Sequence, residues 1–191
     1  MKKIIITLFI SLLAYTGTST AQIIHGSTYS SSTTYKSRMN LSTHYQGELN
    51  FGYGLGGKIK EDGEKYDANY SRAFIETIHG VRINKYAFAG VGVGFQYAYD
   101  EEWEMGTLPI FVDLKGYYPV TADFAPYLAI DLGYSVGLFS NGGDTPGGFY
   151  ASYGIGLNYR KLNFGIGWQH QAFSDYDAKI NSFFVKIGIK F

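Results

Sequence analysis

The stretch SFFVKIGIKF, residues 182–191, alternates strictly between two kinds of side chain. Phe183, Val185, Ile187, Ile189 and Phe191 fall on one side of an extended chain, and Phe184, Lys186, Gly188 and Lys190 on the other. Successive side chains of a strand point to opposite faces, so period two marks a strand with one apolar face. The last residues of a soluble domain usually fray. These are committed to a strand that closes on an aromatic residue.

The same period recurs upstream, in segments at 43–56, 72–83, 86–99, 107–118, 124–138, 148–159 and 162–173, which makes eight in all. In the fifth, Pro126, Leu128, Ile130, Leu132, Tyr134, Val136 and Leu138 share one face, opposite Tyr127, Ala129, Asp131, Gly133, Ser135 and Gly137. In the third, Ala87, Ala89, Val91, Val93, Phe95 and Tyr97 oppose Phe88, Gly90, Gly92, Gly94 and Gln96. The second is ambiguous, and we take Ile75, Val81 and Ile83 as its apolar face. Connections between successive segments are 15, 2, 7, 5, 9, 2 and 8 residues long, so long and short alternate. The long ones (KIKEDGEKYDAN, DEEWEMG, SNGGDTPG, SDYDAKI) are polar, and the short ones are tight turns. A soluble sandwich has no use for that asymmetry. A transmembrane barrel does, with short periplasmic turns and long external loops.

The amino-terminal residues fit export. Met1, Lys2 and Lys3 precede an apolar run from Ile4 to Ala14, and Ser19 and Ala21 offer small side chains for cleavage before Gln22. That run is too short for the ~20 residues of a spanning helix. Residues 1–21 are therefore read as a signal peptide, 22–40 as a Ser/Thr-rich tail and 41–191 as the barrel domain. Without Lys2 and Lys3 the chain carries 14 basic against 16 acidic residues, a net charge of −2 that excludes a nucleic-acid partner. There is no cysteine, hence no disulfide. Among 191 residues, 25 Gly, 18 Tyr and 14 Phe against 4 Pro favour an all-β chain.

Glycine decides which face looks outward. Of the 17 glycines in the eight segments, 15 lie on the polar face, and only Gly47 and Gly116 do not. On a water-facing surface glycine weakens a strand without return. Inside an eight-stranded barrel space is scarce, and glycine lets Phe88, Phe111 and Tyr127 fit. The polar face is thus the crowded interior and the apolar face the exterior. About 11 residues at ~3.3 Å, tilted ~40°, span ~28 Å, against an apolar band ~25 Å tall. Tyr45, Tyr53, Tyr97, Tyr99, Tyr118, Tyr159, Phe164, Phe173, Phe183 and Phe191 sit near segment ends, where interfacial girdles belong.

With these features, residues 41–191 resemble the small eight-stranded outer-membrane β-barrels of the OmpA/OmpX type. The resemblance implies that Phe183, Val185, Ile187, Ile189 and Phe191 form an insertion signal read by the outer-membrane assembly machinery.

The interior face gathers Glu48, Glu76, Asp113 and Asp131 with Arg82, Lys115, Lys186 and Lys190. Charges in a narrow lumen must be paired. Glu48 and Lys186 are expected to meet across the closing seam, with Asp113, Lys115 and Asp131 on neighbouring strands. The network is read as a structural plug, with a gate as the alternative. The histidines form no nucleophile–base–acid set: Thr77 and His79 share an outer face, and His170 lies near Ser174 and Asp175. No metal or cofactor motif is present. The external loops, including the acidic residues 100–104, are the expected recognition surface, with lipopolysaccharide and outer-membrane lipids as neighbours.

The fold class is therefore all-β, a closed eight-stranded antiparallel up-and-down transmembrane barrel in the outer membrane, expected to be monomeric and not an enzyme. The leading functional expectation is a structural or surface-interaction role through the loops. The alternatives are a narrow small-solute channel or transport component, then a lipid-modifying enzyme.

Overall fold

Each alternating segment is a strand in the computed structural model, which describes residues 42–61, 64–68, 71–99, 104–141, 147–173 and 179–191, all within a unit spanning Asn40–Phe191. The signal peptide, the Ser/Thr-rich tail, residues 100–103 of the acidic loop, and Ser174 and Asp175 lie outside the described residues. The strands are β1 (Thr43–Glu61), β2 (Glu64–Ala68), β3 (Ser71–Ile83), β4 (Ala87–Tyr99), β5 (Glu104–Tyr117), β6 (Phe124–Ser140), β7 (Gly148–Tyr159), β8 (Leu162–Phe173) and β9 (Lys179–Lys190). From β3 to β9 each pairs antiparallel with the next, while β1 pairs with β3 on one side and β9 on the other. Eight strands thus close into a barrel, and β2 pairs only with the far end of β1.

The barrel is inverted relative to a soluble protein. Val91, Leu128 and Ile155 expose 61, 65 and 56 % of their surface, whereas Glu48, Asp113 and Asp131 expose 1 % or less. Inside, Ile78, Phe88, Phe111, Tyr117, Tyr127 and Tyr150 pack as one cluster, with Phe111 and Tyr150 ring centroids 5.4 Å apart. Glycine makes the room for them. A Cβ on Gly92 would collide with the Phe111 ring, one on Gly52 with Phe74, and one on Gly156 with Tyr127. The exterior of β3 carries Ile75, Val81 and Ile83 as expected, and Phe74 and Ile78 point inward.

Several details depart from the alternation read in the sequence. The connection 57–71 is largely a hairpin: β1 runs on to Glu61 and pairs there with β2, from Gly57↔Ala68 to Glu61↔Glu64. A bulge at Gly56, with φ of +54°, shifts the register between Leu55 and Gly57, a conformation that favours glycine. A second irregularity leaves Leu138 without a partner between Gly137 and Phe139, so Phe139 rather than Leu138 continues the outer face. Phe173 is buried instead of joining the interfacial girdle. Of the two glycines on the outer face, Gly47 lies beneath the Phe191 ring, while a Cβ on Gly116 would meet nothing within 4 Å. Gly47 and Phe191 also exchange backbone hydrogen bonds of 2.8 and 2.9 Å, extending the seam past Lys190.

Candidate functional site

Strand parity delivers alternate residues of every strand to the lumen, and in a barrel this narrow long side chains cross it. Lys115 of β5 reaches Glu48 of β1, Nζ to Oε2 2.6 Å, and Asp113 on its own strand at 2.8 Å. Lys186 of β9 reaches Glu76 of β3 at 2.8 Å and lies 3.9 Å from Asp131 of β6. Each lysine therefore sits between two carboxylates, with all six side chains buried.

Neutral donors add to the bonding of three of the four carboxylates. Gln46 and Asn163 donate to Glu48, Asn50 donates to Glu76, and the Ser152 hydroxyl donates to Asp131 at 2.5 Å. Charged groups bonded this way are far less costly to bury than lone ones.

The expected seam pair does not form. Glu48 stands opposite Lys190 in the β1–β9 register, and Lys186 stands opposite Gly52. Lys186 instead extends past β1 to Glu76 on the next strand. Lys190 makes no ion pair among the described residues. Asp113 and Asp131 are direct register partners, and each carboxylate relies on a different lysine.

Arg82 caps the lumen at the short-turn end. Its guanidinium lies 3.4 Å from the Tyr117 ring centroid and donates to the Lys85 carbonyl at 3.0 Å. Toward the loop end, Arg72 donates to Gln96 at 3.0 Å, and Gln169 donates to the same oxygen at 2.8 Å. Arg72 was not singled out in the sequence, although it has the same parity as Glu76 and Arg82.

The outer face holds two histidine clusters. His79 meets Tyr45 at 2.5 Å and Thr77 at 3.0 Å, with the Phe191 ring edge-on to it. His170 is hydrogen-bonded to Asn181 and lies 3.3 Å from the Tyr153 hydroxyl, stacked on that ring. No serine or carboxylate joins either histidine among the described residues. The residues read as an insertion signal, Phe183, Val185, Ile187, Ile189 and Phe191, all lie on the outer face, where Trp168 packs edge-on against Phe183.

The chain thus has the fold of the small eight-stranded outer-membrane β-barrels. It is similar to Ail, the attachment invasion locus protein of Yersinia pestis, with a TM-score of 0.51 at 14 % identity over 76 % of this chain and 98 % of that one. It is also similar to the outer-membrane enzyme PagL, with a TM-score of 0.56 at 10 % identity over 74 % of this chain and 98 % of the other. Neisserial surface protein A superposes with a TM-score of 0.50 at 12 % identity over 78 % of this chain and 99 % of its own. No protein-family model matches the chain, and neither does any curated protein.

Proposed function

We propose that this is an integral outer-membrane protein whose lumen is a structural plug and whose work is done at the cell surface, by the structures at the loop end. The observation that carries this reading is the pair of lysine–dicarboxylate clusters. They tie β1 to β5, and β9 to β3 and β6, and fill the cross-section with buried, ion-paired groups. An eight-stranded barrel is just wide enough for side chains to fill, while an aqueous channel needs ~16 strands. The exposed apolar belt supports residence in a bilayer, with lipids and lipopolysaccharide as immediate neighbours. A closed sheet leaves no barrel edge for a second copy, which supports a monomer. The histidine partners, Tyr45, Thr77, Asn181 and Tyr153, support a place in the interfacial girdle rather than catalysis.

Planar-bilayer conductance tests the plug. The refolded barrel, verified by heat-modifiable migration, is expected to be silent, and so are Lys186→Ala and Asp131→Ala where they fold. Reproducible wild-type conductance that either substitution alters would place function in the lumen instead. The same preparations serve the outer face of β9 as the signal for the assembly machinery. Phe191→Ala is expected to fold in detergent but to insert slowly into vesicles that carry the machinery. Equal insertion rates would refute that role.

A further inference from the structure

A groove of about 840 Å³ crosses the outer wall near the short-turn end, from β5 to β9. Register sets its lining in one row: Gly116 opposite Leu128, Leu128 opposite Ile155, Ile155 opposite Ile166, and Ile166 opposite Val185. Five strands at ~4.8 Å spacing make the row about 19 Å long. Gly116 leaves it open, because no atom lies within 4 Å of the place a Cβ would take.

Tyr86 and Tyr118 line the groove at the barrel rim and are 56 and 75 % exposed. Beside Tyr86 stands Lys85, its Nζ 5.3 Å from the ring centroid. No carboxylate pairs with Lys85 among the described residues. Asp123, on a neighbouring turn, is taken by Arg160 at 3.3 Å. Lys85 also lines a second cavity of about 450 Å³ together with Arg82 and Lys190, which gathers positive charge at this end of the barrel.

An apolar channel ending in amphipathic aromatics and an unpaired cation matches one chemistry, an acyl chain joined to an anionic headgroup. We propose that the groove is a binding site for one anionic phospholipid, its acyl chain along Gly116, Leu128, Ile155 and Ile166 and its phosphate at Lys85. This rests on the membrane reading above and goes beyond it, by making one lipid a specific ligand rather than bulk solvent.

The test is native mass spectrometry of the refolded chain, released from micelles holding equal amounts of phosphatidylglycerol and phosphatidylethanolamine with identical chains. The wild type is expected to retain one lipid and to favour phosphatidylglycerol ~5-fold, the effect of one lysine worth ~1 kcal/mol at a membrane surface. Lys85→Gln should keep a lipid but lose the preference. Gly116→Phe, which fills the groove, should lose the lipid. If that variant does not fold, Leu128→Trp fills the same space from an exposed position. Equal retention by wild type and groove-filled variants would overturn the site, as would absence of a headgroup preference or a lipid-free dimer. Heat-modifiable migration and vesicle insertion are recorded for each protein. Failure of insertion would strike the membrane reading, and normal insertion without lipid retention would strike only this proposal.

Discussion

At the scale of single residues, the lumen is a problem in burying charge, and Lys115 shows how it is solved. Removing one partner of a buried pair leaves an uncompensated ion, and such losses cost ~3–5 kcal/mol. Lys115→Met is expected to destabilise the barrel by about that much, because Glu48 and Asp113 both lose their cation. Adding Glu48→Gln should recover part of the loss, which urea titrations in lipid vesicles would measure. Losses that simply add would show that the two side chains do not act as a pair. The sequence revealed the members of this network because parity alone sends Glu48, Glu76, Asp113, Lys115, Asp131 and Lys186 inward. It did not reveal the partners. Which lysine meets which carboxylate depends on stagger and on side chains reaching across the lumen, and the reach of Lys186 past β1 to Glu76 appears only once β1, β3 and β9 are in register.

At the scale of elements, β1 is the outlier. It has 19 residues where β4 has 13, and beyond Gly54, where its pairing with β3 ends, it continues with β2 as a hairpin. The sequence hid this hairpin for a physical reason. The stretch KIKEDGEKYDA, residues 58–68, is dense in charge and keeps no apolar face at period two, so it reads as loop. The bulge at Gly56 concealed it further, since one extra residue inverts the phase of everything after it. Because β2 pairs only with β1, whereas Lys58, Ile59 and Lys60 also pair with β9, replacing residues 61–68 with a two-residue Asn-Gly turn should leave the barrel's unfolding free energy within ~1 kcal/mol of wild type. It should also abolish binding to any surface ligand that the intact protein captures. A barrel that no longer folds would mean that the hairpin belongs to the core.

At the scale of the whole molecule, the inverted distribution of side chains sets the response to charge on the exterior. Leu132 lies mid-strand on the outer face and Tyr159 at the turn end of β7. Leu132→Arg is expected to cost ~2–4 kcal/mol of folding free energy in vesicles, and Tyr159→Arg ~0–1 kcal/mol. Equal costs would argue against a bilayer around the belt. This inversion is legible in the sequence, because glycine crowding marks the inside of a small barrel more surely than hydrophobicity does. The closing seam has a consequence in time. β9 is the last strand of the barrel to be made, yet it supplies both the edge that β1 needs and, in Lys186, the cation shared by Glu76 and Asp131. A nascent chain lacking residues 179–191 keeps two open edges and two unneutralised acids, so no partial barrel is a resting state. Closure therefore waits for β9, and chains that end before it remain exposed to proteolytic disposal.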